Sequence, residues 1–222
     1  MGKLIVIEGT DGVGKSTQFS LLKERLNAMG TDFQTIVFPQ YQEPSSALIR
    51  MYLGGEFGTK PTDVNAYAAS MFYAVDRYAS YKKIWGDYYE KGGLLVCDRY
   101  TTSNAVHQAS KLPEDTRGSF FRWLYETEFD LLGLPKPDMV LYLDAPISLT
   151  ETMMRSREAQ TNTTADIHEK DLDYLRLCRA TGRQAASYYG WEIINCAGAQ
   201  GMRTREDIHE EIFGLVKDCI EE

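Results

Sequence analysis

The run Gly9-Thr10-Asp11-Gly12-Val13-Gly14-Lys15-Ser16 constrains this chain more than any other stretch, because it fits G-x-x-x-x-G-K-S and lies between an apolar segment and a helical pattern. Leu4-Ile5-Val6-Ile7, just ahead of it, is apolar at every residue, as suits a strand covered on both faces. Just behind it, Ser16 to Met29 sets Phe19, Leu22 and Leu26 on one helical face, and Gly30 supplies a stop. Strand, glycine loop and helix in that order make a phosphate cradle: glycines let successive amides turn toward one anion, and the helix adds its positive end. Lys15 then reaches the β and γ phosphates, and Ser16 offers a hydroxyl to a magnesium ion bridging them. Gly9 through Thr17 are therefore the expected binding residues for a nucleotide phosphate donor, ATP.

The same apolar signature recurs along the chain. Lys3 to Glu8, Gln34 to Phe38, Leu94 to Asp98, Asp138 to Asp144 and Trp191 to Cys196 read as strands, separated by longer helical patterns. Alternation of this kind predicts a P-loop NTPase fold: a five-stranded parallel sheet with helices on both faces. Helices are expected over Asp63 to Tyr89, Pro113 to Leu132 and Thr164 to Tyr189, while Ala159 to Thr163 is polar and aperiodic, as in a flexible segment. With 222 residues the expectation is a single domain over 1–222 carrying a short lid at about 154–168.

Composition excludes some partners. The net charge of -8 leaves no broad basic face to replace phosphate counterions, so no nucleic-acid partner is expected. No apolar run approaches the roughly 20 residues of a membrane helix, and the opening residues read as a strand rather than a signal peptide, which predicts a cytoplasmic protein. Cys97, Cys178, Cys196 and Cys219 are far apart, and buried reduced thiols are expected.

A phosphate loop fits a switch, a motor or a kinase alike, so other residues must decide. Asp98 and Arg99 follow the Leu94 strand, and residues beyond the carboxyl ends of parallel strands line the ligand crevice. There a carboxylate orients magnesium or its waters, and an arginine forks onto a phosphate. Helical spacing also puts Tyr73 and Arg77 on one face, where a ring can stack on a pyrimidine and a guanidinium can donate to a carbonyl.

Taken together, GTDGVGKST at Gly9 to Thr17, FPQY at Phe38 to Tyr41, FYAVDR at Phe72 to Arg77, DRYTTSNAVHQ at Asp98 to Gln108 and PDMVLYLD at Pro137 to Asp144 resemble the thymidylate kinase family, its bacterial members above all. That resemblance covers nearly the whole chain. It implies transfer of phosphate from ATP to dTMP, a magnesium ion at Ser16 and Asp98, and a homodimer formed through helices. It implies that Arg99 holds the acceptor monophosphate, that Asp11 meets the sugar 3′-hydroxyl, and that Tyr73 and Arg77 take the base. Asn104 would stand near the pyrimidine edge with Ser103 beside it, and Phe38 and Gln40 are expected among the substrate-binding residues.

Departures from the family pattern sharpen the expectation. Where some members carry a catalytic arginine in the loop this chain has Gly12, so the lid arginines Arg155 and Arg157 are expected to supply the cation. Gln40 stands where relatives often have arginine, with Arg50 as a candidate substitute. His107 replaces a tyrosine set against C2′ of the sugar, and Glu169 matches an acidic lid-helix position. Gln40 and His107 keep open a kinase for dUMP or dCMP. A nucleotide-dependent switch or regulatory ATP-binding module is the reading from another class, opposed by the absence of an N-K-x-D guanine motif.

Overall fold

The computed structural model describes residues 1–151 and 171–221. Five parallel strands, β1 (Lys3–Gly9), β2 (Phe33–Val37), β3 (Leu94–Asp98), β4 (Met139–Asp144) and β5 (Glu192–Asn195), form one sheet in the order β2-β3-β1-β4-β5. All five lie within a residue of the expected bounds at each end. The strand-by-strand apolar runs have the predicted cause, since alternate residues serve opposite cores. Leu4, Val6, Leu95, Cys97, Val140 and Tyr142 pack on one face of the sheet. Ile5, Ile7, Leu94, Val96, Leu141 and Leu143 pack on the other.

Helix α1 (Lys15–Ala28) covers the second face through Phe19, Leu22 and Leu26. The first face carries α2 (Ala47–Leu53), α3 (Ala66–Ser80), α4 (Gly86–Glu90), α5 (Thr101–Ser103), α6 (Arg117–Tyr125) and α7 (Leu172–Tyr189) along with the turns that join them. The chain ends in α8 (Arg205–Glu221), which packs beside α1 with Ile208, Ile212, Phe213 and Val216. That 3- and 4-residue spacing is legible in the sequence, yet no helix was expected there, nor at α2.

Three helices pass into π-turns, at Tyr81–Trp85, Asn104–Gln108 and Glu126–Leu131. A π-turn inserts one residue into a helix and re-aims the side chains around it, and such turns gather at functional positions. In an open sheet ordered β2-β3-β1-β4-β5, the connection from β3 to β4 crosses β1, which opens a crevice at the carboxyl ends of β1 and β3. Arg155, Arg157, Glu169 and the predicted lid lie outside the described residues.

Candidate active site

The glycine loop leaves β1 and enters α1 through backbone that side chains rarely adopt. Gly9 has φ 151, and a Cβ there would come within 2.6 Å of the Leu143 carbonyl oxygen on the neighbouring strand. Gly14 caps α1 in the left-handed region at φ 100, so the first amides of the helix open onto the loop. Lys15 is buried, and its Nζ donates to the carbonyls of Gly9 at 2.8 Å and Thr10 at 3.0 Å, with Asp11 3.7 Å away. Burial drives its pKa down and the Arg99 charge adds to this, against the opposing pull of Asp11, Asp98 and Glu8. An ammonium folded onto its own loop carbonyls is poised to exchange them for phosphate oxygens. Ser16 and Thr17 are exposed on the first turn beside it.

Across the crevice, β3 delivers Asp98 and Arg99. Arg99 has φ 67, the one non-glycine residue with positive φ among the described residues, and its amide donates to the Ile7 carbonyl at 3.1 Å. Such backbone costs about 1–3 kcal/mol and persists where the surroundings over-determine it. Here they do: the guanidinium pairs with Asp11, lies 3.7 Å from Glu8, and reaches Ser103 Oγ at 3.4 Å and His107 Nε2 at 3.2 Å. Because arginine only donates, His107 Nε2 is the acceptor in this contact. Burial opposes the charge on Arg99, but the carboxylates of Asp11, Glu8 and Asp98 outweigh it and hold the pKa above the ordinary arginine value. Asp98 Oδ1 is buried with no hydrogen-bond partner among the described residues. An orphaned carboxylate oxygen at this strand end fits a magnesium ion or one of its waters.

The remaining predicted residues gather on α3 and the segments facing it. Arg77 is buried, with Nε and Nη2 on the Glu128 carboxylate at 2.6 and 2.5 Å, and Tyr73 stands one turn before it among Phe72, Val64 and Tyr52. Asn104 Nδ2 donates to the Ser70 carbonyl and to Glu128. Asp76, also on α3, takes the Gln40 amide at 2.8 Å and Ser45 Oγ at 2.6 Å, so one helix carries Tyr73 and Arg77 and also holds the loop after β2. Arg50 braces that loop, donating to the Tyr41 and Glu43 carbonyls and to Ser46 Oγ. Phe38 lies in the core against Tyr100, beneath the crevice rather than open to it.

Sequence reasoning missed the acids that set these groups in place. Glu8 is fully buried and accepts from the Gly9 amide, Thr102 Oγ1 and Ser103 Oγ. Glu128 receives Arg77, Thr101 and Asn104. Asp144, at the end of β4, holds Arg179 at 2.7 Å and Arg183 at 2.7 Å. Burial pushes its pKa up, but the two arginines outweigh that and keep it below the usual carboxylate value. A signal did exist for Glu8 and Asp144, each an acid near the carboxyl end of an apolar strand run. For Glu128 there was none.

Known proteins give the same picture. The sequence profile of the thymidylate kinase family matches residues 7–212. A thymidylate kinase of Mycobacterium tuberculosis is 32% identical over 190 residues, 85% of this chain and 87% of that one. A probable thymidylate kinase of Methanococcus maripaludis is 30% identical over the full length of both chains, and one of Pyrococcus abyssi is 28% identical over 97% of this chain and 96% of its own. Bacterial and archaeal relatives thus stand at similar identity, and the expected bacterial leaning is not carried by them. The solved thymidylate kinase of Candida albicans shares the fold with TM-score 0.70 at 21% identity, over 98% of this chain and 92% of that one. With a family match across most of its length on a phosphate loop facing Asp98 and Arg99, the chain belongs to the thymidylate kinase family.

Proposed function

We propose that this chain transfers the γ-phosphoryl group of ATP to the 5′-phosphate of dTMP, giving dTDP and ADP for dTTP synthesis. The observation that carries the reading is the Arg99 guanidinium, which joins Asp11 in the phosphate loop to the segment bearing Ser103 and His107. One fixed cation between two half-sites is what an in-line transfer between two phosphates requires. Lys15 holds the β and γ phosphates, the α1 amides bind the donor, and Arg99 neutralises the acceptor phosphate as the two approach. A magnesium ion held by Ser16 and Asp98 would supply charge neutralisation between the β and γ oxygens. Asp11 receives the acceptor sugar, Tyr73 stacks on the base, and the backbone around Gln40 lines the acceptor phosphate. Arg155 and Arg157 bring the lid cations in a segment at about 154–168.

The active form is proposed to be a cytoplasmic homodimer. Tyr67, Met71, Val75 and Tyr78 lie four, four and three residues apart on α3 and are 42%, 37%, 51% and 39% exposed, an apolar stripe suited to its own copy. No helix among the described residues is long and apolar enough to cross a membrane.

A coupled assay of ADP release with dTMP, dUMP, dCMP and dGMP tests the reading. The highest kcat/KM is expected with dTMP; ADP release indifferent to all four acceptors would refute it.

A further inference from the structure

Glu128 lies on the π-turn after α6, in no motif the sequence offers, and its carboxylate is completely buried. It accepts from Arg77 Nε on Oε2 at 2.6 Å and from Arg77 Nη2 on Oε1 at 2.5 Å. Thr101 Oγ1 adds a bond at 2.7 Å and Asn104 Nδ2 one at 3.3 Å. A buried ion pair gains little stability over a packed apolar pair, so this cluster asks for a reason other than stability.

The reason lies in what the acid does to its neighbours. The Asn104 amide atom that approaches Glu128 Oε1 also lies 3.2 Å from the Ser70 carbonyl oxygen. Carboxylate and carbonyl oxygens accept only, so that atom must be the NH2 and the carbonyl oxygen must face away. Asn104 Oδ1 has no hydrogen-bond partner among the described residues. Arg77 is fixed in the same way: Nε and one edge are spent on Glu128, and Nη1 lies 3.4 Å from the Tyr100 carbonyl, leaving further N–H groups on the edge turned from the acid. Ser70, Tyr73 and Arg77 succeed one another along α3, so Asn104, held at Ser70, and Arg77 stand about one turn to either side of Tyr73.

We infer that Glu128 is a positioning residue that sets the hydrogen-bond polarity of the acceptor-base pocket, so that the pocket takes a ring with a carbonyl beside an N–H, as in thymine or uracil, and rejects cytosine. The inference rests on the dTMP reading above. An imide ring donates its N–H to Asn104 Oδ1 and accepts from Arg77 at the adjoining carbonyl. Cytosine brings an amino group against the Arg77 donors and a ring-nitrogen lone pair against Oδ1. Both contacts are then repulsive and both protein groups are left unpaired. Replacing Glu128 with an amide leaves the Ser70 carbonyl alone to hold the Asn104 NH2, and the polarity of the pocket is weakened.

The test compares kcat/KM for dTMP and dCMP, with ATP, in the wild type and in Glu128→Gln. The wild type is expected to favour dTMP by about 1000-fold or more, and Glu128→Gln to cut that ratio by about 10- to 100-fold with the KM for ATP unchanged. A purely structural acid would lower turnover of both acceptors together and leave the ratio alone. If Glu128→Gln does not fold, Thr101→Val, which removes a single hydrogen bond from the acid, is expected to shift the ratio the same way by a smaller factor. An unchanged ratio in whichever variant folds overturns the assignment, as does a wild type that uses dTMP and dCMP equally well. A wild type that transfers to no monophosphate instead removes the dTMP reading beneath it.

Discussion

Replacing Lys111 with methionine should change how stability depends on pH, and the size of the change follows from where the ammonium sits. Lys111 ends the helical run after α5, and its Nζ donates to Tyr52 Oη at 2.8 Å and to the Val64 carbonyl at 2.9 Å. It lies 4.8 Å from the Tyr52 ring centroid, with no ion pair among the described residues. Desolvation lowers its pKa from 10.5 to about 7, with only a weak opposing pull from Cys178. The folded value is thus depressed, so the unfolded chain binds the proton more tightly. Stability is reduced by the full cost below about pH 7 and recovers as pH rises from there toward 10.5. The gap of about 3.5 pH units, at about 1.36 kcal/mol each, makes that cost about 5 kcal/mol. About 4.6 kcal/mol of it remains at about pH 6.5 and about 1.4 at about pH 9.5. Lys111→Met removes this dependence, while its loss of two hydrogen bonds is the same at every pH. Urea unfolding of both proteins at these two pH values should therefore show the wild type gaining about 3 kcal/mol on the variant as pH rises. Titratable groups that do not touch Lys111 behave alike in both proteins and cancel, which leaves Cys178 as the neighbour whose own titration changes with it. A difference that stays constant within about 0.5 kcal/mol would refute the argument.

Four further outcomes test the site and the proposed dimer. Arg99→Ala and Lys15→Ala should each lower kcat/KM for transfer from ATP to dTMP by about 1000-fold or more, and near-normal transfer in either would remove the catalytic assignment. Because burial depresses the Lys15 pKa, Lys15→Ala should leave the melting temperature of the ligand-free protein unchanged or higher, separating activity from fold. Gly9→Ala, whose Cβ would stand 2.6 Å from a backbone oxygen, should cost about 2–4 kcal/mol in thermal unfolding and weaken ATP binding; an unaltered melt would show that the loop can shift. Glutamates at Met71 and Val75 together should give a monomer by light scattering if the α3 stripe is the dimer face, and an unchanged mass would exclude that face.

The sheet was legible because parallel strands buried on both faces leave apolar residues at consecutive positions, which no exposed segment imitates. The loop and the Asp98-Arg99 pair were legible for a related reason: a parallel sheet places its functional groups at strand ends, where sequence position predicts spatial position. Elements off the sheet were less so. The helices expected over Asp63 to Tyr89 and Pro113 to Leu132 exist, but the first is two α-helical segments joined by a π-turn and the second ends in one. A π-turn shifts the register by one residue and carries no propensity signal of its own. Helix α8 shows the opposite case, an apolar periodicity present in the sequence that the strand count did not require.

The acids that organise the site explain why its geometry could not be read from its motifs. A sequence reading searches for groups that meet a ligand, and those are cations, hydroxyls and aromatic rings. What fixes each of them here is a buried carboxylate drawn from another part of the chain: Glu8 beside Arg99, Asp76 on the Gln40 amide, Glu128 under Arg77 and Asn104. The contact between Arg77 and Glu128 spans 51 residues and that between Glu8 and Ser103 spans 95. In isolation Glu128 looks like one more charge on a solvated face. Burying them is costly unless every oxygen is matched, which forces the donors around them into one arrangement. The arrangement then decides which edges of Arg77 and Asn104 are left for a base. On the proposed reading, substitution of Glu128 should alter acceptor choice before phosphate chemistry, whereas substitution of Glu8, beside Arg99 and the Gly9 amide, should alter phosphate chemistry itself.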